Sequence, residues 1–160
     1  MKQLFLSLTF LIFPLSAMSP NIQLHNALAR GNSDEIKQLL DSGALPNEQL
    51  DEHLAEVSAD GDFSNAKLLI EHGANVNVQH SRSHRTPLHD AVLMLEIRTQ
   101  HRPNSPLITD LIKTITVLLE HGANPRIADA WGKSPLSINR IPEIDALFKK
   151  YATNQETKEL

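Results

Sequence analysis

The chain contains no cysteine among its 160 residues. Disulfides therefore cannot staple it, thiolate metal sites are excluded, and the lipid-bearing cysteine of a bacterial lipoprotein is absent. Aromatic residues are scarce, at 4%, so a core must be assembled from Leu, Ile, Val and Ala. Such a core suits helices that pack closely on small residues. No excess of positive charge exists either. The formal net charge is −4, which argues against a nucleic-acid binder, since that function needs a basic face. What remains is 41% hydrophobic and 21% charged, the composition of one folded domain with a real core.

Long apolar runs are also missing, with one exception at the N-terminus. Met1-Lys2 is followed by LFLSLTFLIFPL (4–15) and then Ser16-Ala17-Met18-Ser19. A positive start, an apolar stretch and a small-residue site are the three parts of a secretory signal peptide, here residues 1–17. Leu15 and Ala17 fill the cleavage slots. An uncleaved anchor fits less well, because the run falls short of the ~20 residues needed to span a bilayer. A buried helix is interrupted by Pro14. The expected mature protein is periplasmic or secreted, exported by a bacterium, and not stably inserted in a membrane. The final TKEL lacks the penultimate Asp and basic first residue of an endoplasmic-reticulum retention signal.

The chain repeats itself. LLIEHGANVN (68–77) returns as VLLEHGANPR (117–126), and QLLDSGALPN (38–47) is a fainter first copy. LHNALARGNSDEIKQLLDSGA (24–44) aligns without a gap on LAEVSADGDFSNAKLLIEHGA (54–74). In each, a first helix is expected to stop at Gly31 or Gly61, where glycine can adopt the left-handed cap. A second helix then buries one face, through Ile36, Leu39 and Leu40 in the first copy, and stops at Gly43 or Gly73. Repeated helix pairs of this kind bury themselves against one another.

These residues resemble the ankyrin-repeat family. TPLHDA (86–91) is similar to its signature hexapeptide, DAWGKSPL (129–136) to the turn leading into it, and the two HGAN segments to its second helix and exit turn. The resemblance implies an all-α solenoid of about four helix–turn–helix units with projecting β-turn fingers, and a role in binding proteins. The repeat domain is placed at residues 20–152, with units at about 20–49, 50–82, 83–127 and 128–152, and a flexible tail at 153–160. Departures from a ~33-residue unit are visible. The short interval from Gly43 to Gly73 trims the finger between units one and two. The third unit is enlarged. Leu95 stands where the capping glycine belongs, HRPNSP (101–106) breaks the helix, and Ser105 with Pro106 reads as a new helix start. A protruding antiparallel helix pair is expected there, as a tolerated insertion or a second contact surface. Unit four is truncated and reads as a terminal cap through Ile144, Leu147 and Phe148.

Eight histidines invite a metal reading. By register, His25 and His89 occupy the signature position that serves the turn's hydrogen bonds. His72 and His121 precede the glycine exits, near helix C-termini where positive charge is welcome. His80 and His84 lie on a finger with no acid or cysteine to complete a tetrahedral set. No metal, cofactor or catalytic residue is expected. A hydrolase or metal protein using the finger histidines stands as the alternative of another class.

The concave face is the better candidate. Unit three's finger supplies Arg82, His84 and Arg85, with Asp90 on the following helix; unit four's supplies Trp131 and Lys133. Arg and aromatic residues are enriched among interface hot spots. Taken singly, each also reads as a solvated turn residue, and Trp131 as packing on its neighbouring finger. Together they point to a monomer that binds an acidic protein surface. It would act as a periplasmic inhibitor, immunity or assembly partner, or alternatively as a secreted bacterial effector engaging host proteins.

Overall fold

A computed structural model describes residues 18–156, with side chains through Tyr151. The signal-peptide reading at 1–17 and the last four residues lie outside the described residues. Among the described residues there are helices and turns and no strand. The elements are α1 (Pro20–Arg30), α2 (Ser33–Asp41), α3 (Asn47–Asp60), α4 (Phe63–Glu71), α5 (Pro87–His101), α6 (Leu107–Glu120), α7 (Pro135–Ile138) and α8 (Pro142–Glu156).

They pair as four helix–turn–helix units. Within the first three, α1 packs on α2, α3 on α4 and α5 on α6; between units, α3 meets α5, α4 meets α6, α5 meets α7 and α6 meets α8. Unit one is joined to unit two by side chains, Asn21 to His53 and Asp41 to His72. A single core cluster runs the length of the stack, from Leu24 through Leu54, Leu69, Leu88, Leu95, Ile115 and Leu118 to Ile144 and Phe148. Only Phe148 among these is aromatic, as the composition requires.

The turn inside units one and two follows from two adjacent residues. Gly31 and Gly61 adopt φ of 64° and 79°, the left-handed cap that L side chains resist. The next residue caps the second helix. Asn32 Oδ1 accepts from the Glu35 amide at 3.4 Å, and Asp62 Oδ1 from the Asn65 amide at 3.0 Å. Asn32 and Asp62 take the capping role because each side chain reaches the third amide beyond it.

Three departures refine the expected architecture. Between units one and two no finger is trimmed; it is replaced. Pro46 fixes the backbone ahead of Asn47, and α3 begins there, well before the Leu54 at which the repeat alignment opens. In unit three, α5 and α6 form the expected antiparallel pair around an exposed loop at 102–104. The added turns of α6 do not stand clear, however. Leu107 and Leu111 lie over Gly61, where an added Cβ would meet them at 3.1 Å, and Leu111 is fully buried. Pro106 already has helical φ and ψ, as expected of a first helical residue, although the helix starts without a side-chain cap. At the C-terminus, α8 runs to Glu156, so residues 153–156, read from sequence as tail, are helical.

Candidate partner-binding face

Two fingers project from the stack, one between α4 and α5 and one between α6 and α7. Each folds as a tight turn. In the first, the His80 amide donates to the Arg85 carbonyl at 2.9 Å; in the second, the Asp129 amide donates to the Lys133 carbonyl at 2.7 Å. Asp129 organises its turn by accepting from the amides of Trp131 and Lys133, both at 2.9 Å. Its carboxyl is held below the usual carboxylate range. Burial, the largest effect, acts the other way, but the two amides, His89 and Arg85 together outweigh it. Position for position, His84 stands where Gly132 stands in the second finger. Gly132 has φ of 71°, and His84 is the only non-glycine residue with positive φ among those described, at 52°.

The fingers are tied to each other along their length. Asn77 Nδ2 donates to the Gly122 carbonyl at 3.0 Å, and Asn77 Oδ1 accepts from the Asn124 amide at 2.8 Å. Gln79 Nε2 reaches the Ala128 carbonyl at 3.1 Å, and the Ala130 amide reaches the Ser83 carbonyl at 2.9 Å. His89, fully buried, completes the lattice. Its Nδ1 accepts from the Thr86 amide at 3.0 Å and lies 2.8 Å from the Thr86 hydroxyl, so its Nε2 carries the proton given to the Lys133 carbonyl at 3.0 Å. Burial, more than any other influence, lowers its pKa and keeps it neutral.

Against this frame the six sequence-selected residues separate. Arg85 and Trp131 come together: the guanidinium lies 5.3 Å from the indole centroid, with Nε 4.0 Å from Asp129. Trp131 nevertheless remains 65% exposed. Arg82, His84 and Lys133 are exposed at the tips. Asp90 pairs instead with His80, Nε2 to Oδ2, at 3.0 Å. Asp129, Asn77 and Gln79, which set the finger geometry, were not singled out by sequence. The Asx-turn signal of DAWG was present for the first of them; the other two act across a junction that no local pattern reports.

The charge is segregated rather than uniform. Arg82, Arg85 and Lys133 mark the fingers, whereas Glu48, Asp51 and Glu52 from the start of α3 face Val78 and His80 across a cleft of about 270 Å³. Replacing the first finger by helix is what brings these carboxylates onto the face.

The histidine assignments divide. His72 behaves as expected at a helix end: Nδ1 donates to the Leu68 carbonyl at 2.8 Å and Nε2 to Asp41 at 3.0 Å. Its pKa is raised, first by that carboxylate and then by the carbonyl. His121 Nδ1 likewise contacts the Val117 carbonyl at 2.8 Å. His25 does not take the turn role assigned to it. Because α1 starts at Pro20, His25 falls in mid-helix and is exposed, 3.4 Å from Glu56. The finger histidines do not converge on a ligand set. Among the described residues the group that does is His25, His53 and Glu56.

Comparison with known proteins agrees with this architecture. The family described as ankyrin repeats (many copies) matches residues 52–98. Human cyclin-dependent kinase inhibitor 2A is 31% identical over 126 residues, 77% of this chain and 71% of that protein. Mouse cyclin-dependent kinase 4 inhibitor B is 30% identical over 122 residues, 75% of this chain and 82% of that protein. The fold matches the crystal structure of the ankyrin repeat domain of Bcl-3 with a TM-score of 0.61 at 22% identity, covering 79% of this chain and half of that one, 50%. With paired helices, left-handed glycine caps, signature turns and these relatives in agreement, the chain belongs to the ankyrin-repeat family.

Proposed function

We propose that this protein is an exported, non-catalytic binding module that recognises a partner protein on its concave finger face. The observation that carries the reading is Trp131, a large apolar side chain 65% exposed yet held in place by Arg85. A side chain already positioned before binding loses less freedom on complex formation. The relatives are consistent with a protein partner, since by their names they inhibit kinases. The export part of the reading rests on the signal-like residues 1–17, and with it the partner is sought in the cell envelope or beyond. The segregated charge refines the acidic-partner reading: an acidic edge suits Arg82 and Lys133, while the α3 half of the face suits a basic one.

The test is affinity capture from envelope fractions with wild-type protein and an Arg82→Glu, Trp131→Ala, Lys133→Glu variant. Arg85 is left intact because it braces the finger. A single protein retained by wild type and lost by the variant supports the reading. Equal retention by both removes the fingers from the interface, and a protein found uncleaved in the cytoplasm removes the export part.

A further inference from the structure

His25, His53 and Glu56 meet in the concave groove of units one and two, at the opposite end of the stack from Trp131. His25 comes from the middle of α1; His53 and Glu56 lie one helical turn apart on α3. Glu56 Oε2 is 3.4 Å from His25 Nδ1 and 3.6 Å from His53 Nδ1. One ligand atom from each of the three residues lies within 4.8 Å of the other two. The two imidazole rings stack with centroids 5.9 Å apart.

The ring orientation of His53 is fixed from behind. Its Nε2 lies 2.8 Å from Asn21 Oδ1, an acceptor, so Nε2 carries the proton and donates it. His53 is 5% exposed, so its ring has little freedom to turn away from that partner. Nδ1 of a neutral ring in this tautomer is a bare lone pair, and it faces a carboxylate oxygen that can only accept. In the neutral ring two acceptors thus oppose each other across a polar cleft, whereas a protonated ring would donate to Glu56. A cation between them turns that conflict into ligation. A histidine whose far N–H is anchored on an oxygen while its near nitrogen faces the other ligand atoms is the arrangement that metal-ligating histidines adopt.

The distances fit a small cation. Bonds of about 2.0–2.1 Å to nitrogen or oxygen in tetrahedral geometry place neighbouring ligand atoms about 3.4 Å apart. Both edges to Glu56 already have that spacing. The third edge, between the two imidazoles, closes by movement of His25, whose side chain is 54% exposed. Glu52 lines the same open cleft of about 340 Å³ and adds negative charge without a competing Lys or Arg among the lining residues.

We propose that this face carries a divalent transition-metal site, for which zinc is the chemical fit, ligated by His25, His53 and Glu56 with a fourth position open to the groove. Two imidazole nitrogens with one carboxylate oxygen suit zinc, nickel and copper rather than magnesium or calcium. The site shares no ligand with the finger tips, although Glu52 lines both this cleft and the one facing Val78 and His80. Asn21 is a positioning residue that holds the His53 tautomer.

The test is a zinc titration of the full chain, purified without a polyhistidine tag, in competition with a chromophoric chelator. One zinc per chain is expected. His25→Ala and Glu56→Gln, both at exposed positions, are each expected to weaken binding about ten-fold or more, and Asn21→Ala about ten- to a hundred-fold, with Asn21→Asp restoring it. His80→Ala on the finger is the control and leaves affinity unchanged. Absence of stoichiometric zinc in the wild type overturns the proposal. So does a His25→Ala, Glu56→Gln double variant that keeps helical circular dichroism and still binds one zinc, or a loss that follows His80 instead.

Discussion

At the scale of single residues, two positions carry backbone conformations that set the cost of their side chains. His84 is exposed at φ of 52°, where an L side chain crowds its own carbonyl and glycine does not. His84→Gly is expected to raise stability by about 0.5–1 kcal/mol, measured as an increase in the urea midpoint at unchanged slope. Gly61 is the opposite case. At φ of 79°, with Leu107 and Leu111 each 3.1 Å from an added Cβ, Gly61→Ala combines strain with a clash against a packed helix. A loss of about 1–3 kcal/mol is expected; an unchanged midpoint would mean that α6 does not rest on this turn. The glycine was legible in the sequence as a helix stop. Its second role, as a seat for α6, was not, because that contact joins residues forty to fifty positions apart and leaves no local pattern.

At the scale of elements, the fingers depend on one buried imidazole. His89 links the start of α5 to the second finger through Thr86 and the Lys133 carbonyl. His89→Ala leaves those partners unsatisfied and opens a cavity beneath both fingers. The expected loss is about 2–4 kcal/mol, read by thermal unfolding, and quenching of Trp131 fluorescence by acrylamide should rise as its finger loosens. The long second helix of unit three is the other informative element. Its apolar stripe, Leu111, Ile115 and Leu118, is fully buried, and the spacing of those residues in the sequence already implied a helix face. Whether the extra turns would project or fold back depended on what lay opposite. Gly61 leaves the room that a larger residue would have filled.

At the scale of the whole molecule, the stack ends in a cap and balances its histidines. Ile144 and Phe148 of α8 are buried against the preceding unit. Removal of residues 135–160 would expose the outer face of α5 and α6, and such truncated stacks are expected to aggregate or lose a single cooperative transition. A soluble, cooperatively folded truncation would show that unit four is dispensable. The pH dependence follows from three histidines. Burial lowers the pKa of His53 and His89, so the unfolded chain takes up protons first. Stability is therefore lost as pH falls below 6.5 towards their folded values. His72 has the opposite sign. Its raised pKa gives stability that is present below 6.5 and lost as pH rises through the folded value. Two buried rings outweigh one partly exposed ring, so the net expectation is weakening on acidification, measured by denaturant midpoints across that range. Replacing His89 with a non-titrating residue should flatten part of that slope.

The sequence by itself determined the helix pairs, their glycine stops, the two fingers, the enlarged third unit and the cap. Each is written in local spacing: apolar residues three and four apart, a glycine where the chain reverses, a signature turn before a helix. Tertiary structure alone decided what those elements face. Pro46 and Asn47 read in the sequence only as the end of a repeat segment, yet starting α3 there removed a finger and set acidic side chains across from Val78 and His80 of unit three. Starting α1 at Pro20 moved His25 out of the turn position and brought it beside His53 and Glu56. Periodicity records which side of a helix is buried. It does not record which distant side chain comes to lie within 4 Å, since that depends on the packing of whole units.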